Sequence, residues 1–299
     1  MKQLKLNRTE LTVSEICLGA DRFGSTLDRE TAFAMLDKFR AAGGNFIDTA
    51  SLYVRDWDRK ISVSEEILGE YLRKNGKDSL IIATKGAHPN LDTMHISRIN
   101  REEITADLDE SLTTLGLDCI DFYWLHRDNP EMPIGEIVEL MEEFVRAGKI
   151  RYYGGSNYTA ARMREADAYA KAHGLHGFSG VSNMWMPAKQ NPGHPLYNDK
   201  TLVGFTDEDL TLFADTGMAF VPFSSTARGW FSKAAAGKAD ERLDGVFDNA
   251  ENRALLEKFK AADCSVQTAL LRHIRTYPVQ IVPVTSASRL SQLDDILAV

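Results

Sequence analysis

The stretch Gly43-Gly44-Asn45-Phe46-Ile47-Asp48-Thr49-Ala50-Ser51-Leu52-Tyr53 decides how the chain is read. A glycine pair stops a helix, a short apolar run makes a strand, and an acid follows at once, so Asp48 stands at the strand's carboxyl end. Tyr53 lies five residues on, in the following loop. Two further strands repeat the layout: Leu80-Ile81-Ile82-Ala83-Thr84 ends at Lys85, and Ile120-Asp121-Phe122-Tyr123-Trp124-Leu125 ends at His126. Four ionisable groups of complementary chemistry therefore sit where strands end.

The same alternation of strand and helix runs along the whole chain. Residues 2–5 and 10–13 alternate around Asn7-Arg8-Thr9, which predicts a small hairpin able to plug one end of a barrel. Strand 14–19 follows, then a loop with Asp21 and Arg22, then a helix opened by Thr26 to Asp28. Strand 45–48 precedes helix 62–74, strand 80–84 precedes 101–116, strand 120–125 precedes 134–147, and strand 150–155 precedes 159–173. Strand 177–182 leads through a long loop to helix 206–216, strand 218–222 to helices near 249–262 and 265–276, and strand 280–284 to helix 288–297. Eight such pairs within about 250 residues predict an α/β fold, a closed (β/α)8 TIM barrel with a short N-terminal β-hairpin. A single domain over 1–299 is expected. The competitor is a doubly wound sheet, and the absence of G-x-G-x-x-G after the first strand weighs against it. The long irregular stretches 54–61, 86–100, 184–205 and 224–248 all follow strands, so function is expected at the carboxyl face.

At 299 residues and 43% apolar content the chain can bury a large core. A net charge of −8 argues against a nucleic-acid partner and leaves small anionic ligands open. Cys17, Cys119 and Cys264 are far apart without CxxC spacing, which supports neither a disulfide framework nor a zinc site and fits a reducing cytoplasm. No HExxH or other metal spacing occurs. The amino terminus lacks an apolar signal core and no run of ~18 apolar residues exists, so no membrane partner is expected. The oligomeric state stays open.

A tyrosine is a poor acid in water, with a pKa of ~10, but a nearby ammonium such as Lys85 favours its phenolate and eases proton donation. Asp48 would hold that lysine charged, and His126 would hydrogen-bond the oxygen receiving the proton. Singly, each has a structural explanation: a loop cap, a solvated lysine, a satisfied core histidine, loop packing. Their joint placement favours chemistry.

Leu18-Gly19, Phe46-Ile47-Asp48-Thr49-Ala50 with Tyr53, Ala83-Thr84-Lys85, and Asp121-Phe122-Tyr123-Trp124-Leu125-His126 resemble the aldo-keto reductases, in register from about residue 4 to 297. Gly148 to Asn157 is similar to the family's fifth strand and Pro222 to Gly229 to its seventh. The resemblance implies a barrel binding NADPH, less often NADH, without a Rossmann motif. It implies Tyr53 as general acid, Lys85 and Asp48 tuning it, and His126 orienting a carbonyl. By position, Ser156 and Asn157 would hold the nicotinamide carboxamide and Phe223 would stack on its ring, while Ser224, Thr226 and Arg228 would line the pyrophosphate path. Ser182 stands where the family implies a glutamine on the carboxamide. Ser286, Ser288, Arg289 and Gln292 cover the adenosine-phosphate region, and Arg289 leans the choice towards NADPH. Ile296 replaces an adenine-binding asparagine, and the closing segment that walls the family's substrate pocket would follow Val299, so an open site is expected.

Asp21, Arg22, Arg55, Trp57, Trp124, Arg127, Asp128 and Trp185 suggest a substrate side suited to a sugar-like carbonyl or alcohol, with indoles stacking and Arg and Asp bonding hydroxyls. Two other readings remain. One is a barrel lyase or isomerase in which Lys85 forms a Schiff base. The other is a nicotinamide-binding sensor or channel-associated accessory subunit.

Overall fold

The computed structural model describes residues 1–299. Strands β1 (Gln3–Lys5) and β2 (Thr12–Ser14) form an antiparallel hairpin. The barrel strands are β3 (Cys17–Gly19), β4 (Phe46–Asp48), β7 (Ile81–Gly86), β8 (Ile120–Leu125), β9 (Ile150–Gly155), β10 (Gly180–Val181), β11 (Ala219–Phe220) and β12 (Val284–Thr285). All neighbours are parallel and follow chain order, and β12 pairs with β3. A parallel bridge between Phe220 and Ile281, with Val282 N–H donating to the Phe220 carbonyl at 2.9 Å, closes the remaining seam. The expected (β/α)8 barrel is therefore present. A short hairpin, β5 (Arg55–Asp56) with β6 (Ile61–Ser62), replaces the irregular stretch expected over 54–61.

Helices α1 (Arg29–Ala41), α2 (Val63–Asn75), α3 (Arg101–Leu115), α4 (Ile134–Arg146) and α5 (Ala160–Ala172) follow the first five barrel strands. Their starts are chemically marked: Asp28, Ser62, Asn100 and Thr159 each accept the backbone N–H three residues on, satisfying donors a helix terminus leaves free. Further on come α6 (Thr211–Thr216), α7 (Trp230–Ala235), α8 (Glu241–Phe247), α9 (Ala250–Lys260), α10 (Val266–Ile274) and α11 (Leu290–Leu297). Helices α7 and α8 occupy a stretch expected to be irregular. Each is too short for helical periodicity to show, and Asp240 caps α8 while Trp230 Nε1 donates to Asp244 across the pair. No helix is long and apolar enough to cross a membrane.

Three apolar groupings order the molecule. The largest lies between strands and helices, where Leu36, Leu68, Leu108 and Met141 pack against Leu18, Ile47, Ile82 and Leu125. The barrel interior holds Cys17, Phe46, Ala83, Phe122, Trp124, Val221 and Val282 together with Leu6, Leu11 and Val13 from the hairpin, which thus plugs the amino end. The third is built wholly outside the barrel from Met186, Leu196, Trp230, Phe231, Phe247 and Leu270, and it turns the long loops after β10 and β11 into a packed annexe over the carboxyl face.

Packing inside the barrel is tight around Trp124, whose ring lies 4.1 Å from that of Phe122. A Cβ at Gly154 would stand 2.4 Å from the Trp124 ring and 2.5 Å from the Gly180 carbonyl oxygen, so glycine is required for the indole to enter. Gly154→Ala is expected to destabilise by about 1–3 kcal/mol through overpacking. Urea denaturation reads this as a lowered midpoint at unchanged slope, and an unaltered midpoint would show that the strand can yield.

Candidate active site

Asp48 ends β4 and Lys85 lies in β7, both with side chains turned into the barrel and only 2% exposed. They form a buried ion pair, and Lys85 Nζ also donates to the Thr49 carbonyl at 2.9 Å. The third neighbour of Nζ is the Tyr53 hydroxyl, 3.2 Å away. The His126 ring stands 6.1 Å from the Tyr53 ring, edge to face. The structure thus brings together all four residues singled out at strand ends.

Burial works against charge on Lys85, but Asp48 and Tyr53 outweigh it, and the ammonium is held above its ordinary range. Burial raises the Asp48 carboxyl, with Lys85 pulling it back. Burial also pushes the Tyr53 phenol up to about 12, against the pull of Lys85. The net shift is opposite to the expected easing of proton loss, because the expectation counted the ammonium and left out the cost of burying a phenolate. The phenol therefore stays protonated at neutral pH. Burial drives His126 well below the usual imidazole range, helped by His88, Arg127 and Lys85, so it is neutral.

From this cluster a cleft of about 690 Å³ runs along the carboxyl face. Asp48 and Tyr53 line it together with Phe223, Ser224, Thr226, Arg228, Ser286, Ser288, Arg289, Gln292 and Ile296. Arg22 lines it too, with a buried Nε that has no partner. Side chains not anticipated join them: Tyr197, Lys233, Lys238, Arg242 and Gln267. Tyr197 spans the cleft wall, its hydroxyl 2.8 Å from Ser224 Oγ and 3.0 Å from Arg228 Nη1. Apart from Gln267, which α10 carries, these residues come from the loop annexe, where no periodicity in the sequence announces an inward face.

The remaining anticipated residues sit differently. Ser156 and Asn157 are buried beside the cluster and bonded internally, Ser156 Oγ to the Ser182 carbonyl and Asn157 Nδ2 to the His126 carbonyl. Ser182 Oγ is buried without a partner, and Asn183 is committed to Asn157 and Tyr158, so it does not stand in for a glutamine. Arg127 is tied to Asp199 and Thr201, and Asp128 to Arg162. Two substrate assignments are corrected. Trp124 is wholly buried in the barrel interior, and Trp185 is 1% exposed, packed on Phe220 and Tyr277 with its Nε1 on Asp207. Neither offers a face for stacking. Trp57 is 59% exposed on the β5–β6 hairpin, against Arg55.

The model of the Aldo/keto reductase family matches residues 15–299. The chain belongs to this family. Among its relatives in that family, the Uncharacterized oxidoreductase YrpG of Bacillus subtilis is 29% identical over 99% of this chain and 90% of its own length. The Norsolorinic acid reductase stcV of Emericella nidulans is 28% identical over 95% of this chain and 73% of its own. A protein of Oryza sativa named as a probable voltage-gated potassium channel subunit beta is 29% identical over 86% and 75%. An aldo/keto reductase is an oxidoreductase, and carbonyl reduction with a nicotinamide cofactor is the family's general chemistry.

Asp48→Asn would leave the Lys85 ammonium buried without its anion, a loss of about 3–5 kcal/mol at pH 7. An unpaired buried ammonium favours the neutral amine, so its folded pKa drops below the unfolded value of about 10.4. Folding then releases a proton, and the variant gains stability as pH rises towards that value. Urea melts at pH 7 and 9 are expected to show the deficit narrowing, and a deficit independent of pH would mean that charge on Lys85 is not what was lost.

Proposed function

We propose that this aldo/keto reductase is an NADPH-dependent carbonyl reductase, with NADH as the weaker alternative, acting on a hydroxylated, sugar-like aldehyde or ketone through Tyr53 as general acid. The observation that carries this reading is the Tyr53 hydroxyl 3.2 Å from a buried, paired ammonium, in the wall of a cleft that cations also line. The whole chain is read as one catalytic domain working in the cytoplasm.

The cleft suits an extended dinucleotide. A Cβ at Gly19 would stand 2.5 Å from Ser286 Oγ and narrow the channel, and the unpartnered Ser182 hydroxyl is a buried polar group suited to an amide. Ser156, Asn157 and Phe223 would hold the nicotinamide end, Ser224, Thr226 and Arg228 the phosphates, and Ser286, Ser288, Arg289 and Gln292 the far ribose. Bound there, the cofactor supplies hydride to the carbonyl carbon. His126, being neutral, donates to the carbonyl oxygen without competing for the proton. Tyr53 gives its proton to the oxygen as negative charge develops, and Lys85 stabilises the resulting phenolate. Asp48 keeps Lys85 charged. Arg289 lines the cleft and is in no ion pair, which supports recognition of a 2′-phosphate.

The Schiff-base reading needs a neutral amine at Lys85, and its ion pair with Asp48 opposes that. The accessory-subunit reading has the unusual Ser182 in its favour, and tight NADPH binding without turnover on a broad carbonyl panel would establish it.

Tyr53→Phe is expected to lower carbonyl reduction by about 10²–10⁴-fold while NADPH titration by fluorescence stays near wild type. Retained turnover would remove Tyr53 as the acid. Arg289→Ala is expected to weaken NADPH about tenfold and NADH little, and equal losses would remove the basis for preferring NADPH.

A further inference from the structure

One side chain at the site has no part in the mechanism above. His88 is buried, and its ring meets that of His126 edge to face with centroids 4.7 Å apart. It is delivered there by a built turn. Ala87 adopts φ +58°, a left-handed conformation that costs a residue with a Cβ roughly 1 kcal/mol. The turn is held by Asp107, which accepts the Ala87 N–H at 2.7 Å, and by Arg98, whose Nη1 donates to the His88 carbonyl at 3.0 Å. Arg98 and Asp107 are in turn paired to each other. Backbone strain held in place by surrounding groups next to a catalytic cluster points to a function for the residue it aims.

The chemistry of the ring follows from one contact. His88 Nδ1 lies 2.7 Å from the Pro89 carbonyl oxygen, which can only accept, so Nδ1 carries the hydrogen. In the neutral ring Nε2 is then a bare acceptor, and no protein group donates to it. Burial first, then Arg127, lowers the imidazole to about 4, and Arg98 works in the same direction, while the Pro89 carbonyl and Asp199 oppose. The ring therefore remains neutral across the ordinary pH range.

We infer that His88 is a specificity-determining residue whose Nε2 accepts a hydrogen bond from a hydroxyl on the carbon next to the substrate carbonyl, selecting 2-hydroxy aldehydes and ketones. This rests on the reductase reading above and gives its substrate a chemical class. His126 addresses the carbonyl oxygen, and the adjoining ring addresses the neighbouring hydroxyl. A carbonyl compound without that hydroxyl leaves a desolvated acceptor unpaired, which is how a hydrogen-bonding site rejects a deoxy analogue.

The test compares NADPH oxidation with hydroxyacetone and with acetone, in the wild-type chain and in His88→Phe. A hydroxyl also activates the carbonyl inductively, so the reading is the change in the ratio of kcat/KM values between the two proteins, which cancels intrinsic reactivity. The ratio is expected to fall about tenfold or more in His88→Phe, and His88→Gln, which keeps an acceptor oxygen, is expected to restore part of it. In the wild type alone, KM for methoxyacetone, whose ether oxygen donates nothing, is expected to exceed that for hydroxyacetone about tenfold. An unchanged ratio, a variant that slows both substrates equally, or equal KM values would overturn the role of His88 and leave the reductase reading standing. NADPH oxidation with none of these compounds nor with any of a broad carbonyl panel would instead overturn the reductase reading itself.

Discussion

The buried pair of Lys85 and Asp48 is the constraint around which the carboxyl end of the barrel is arranged. Two charges taken out of water carry a large desolvation cost, and a fold keeps such a pair only where geometry and further hydrogen bonds offset it. Here the offsets are the Thr49 carbonyl and the Tyr53 hydroxyl, both within reach of Nζ. The lysine is thereby fixed at one point of the barrel mouth, and the phenol is fixed by the lysine. The positive centre is formed in advance, so under the proposed mechanism a developing phenolate would meet a charge that does not have to move.

The same preference for pre-set charge explains the neutrality of the imidazoles. Burial is the main cause in both rings, and neighbouring groups add to it, His88, Arg127 and Lys85 for His126 and Arg127 and Arg98 for His88, so protonating either would put a charge out of water beside cations. In the proposed mechanism a neutral donor beside a phenol paired with an ammonium divides the work: one group would orient the oxygen and the other supply its proton. The long loops complete the arrangement. Their apolar annexe lies outside the barrel, yet it carries Tyr197, Arg228, Lys233 and Arg242 to the cleft, so the floor of the site belongs to the strands and one wall to the loops.

What the sequence revealed and what it hid divide along that boundary. Strand ends were legible because a buried strand is a short apolar run and the polar residue that breaks it must lie at its end, as with Asp48, Lys85 and His126. The start of the first helix was legible from Thr26 to Asp28, and Asp28 caps it. The loop contribution was not, because α7 and α8 are shorter than the helical period needs and Tyr197 and Lys233 have no local signal. Aromatic residues misled in the other direction. Trp124 and Trp185 lie in or beside strand ends like Asp48 and Lys85, but each fills space: Trp124 the interior that Gly154 leaves open, Trp185 the layer behind β11. Sequence position at a strand end says that a side chain is near the mouth, and only the pleat decides whether it points to the cleft, the interior or the helices.

His88 lies beyond both kinds of signal, since its position depends on backbone geometry. An extended continuation of β7 would alternate residues 86, 87 and 88 across the sheet as the strand does. The left-handed Ala87 interrupts that alternation, and the Arg98–Asp107 pair from the β7–α3 loop and α3 holds the interruption open. The ion pair that stabilises the turn is largely buried and further bonded to the backbone at 87 and 88, and the conformation it secures is one the chain would otherwise avoid. Two charged residues with no contact to the cleft thereby set the direction of the ring that borders His126, and the reach of the site extends past the residues that line it.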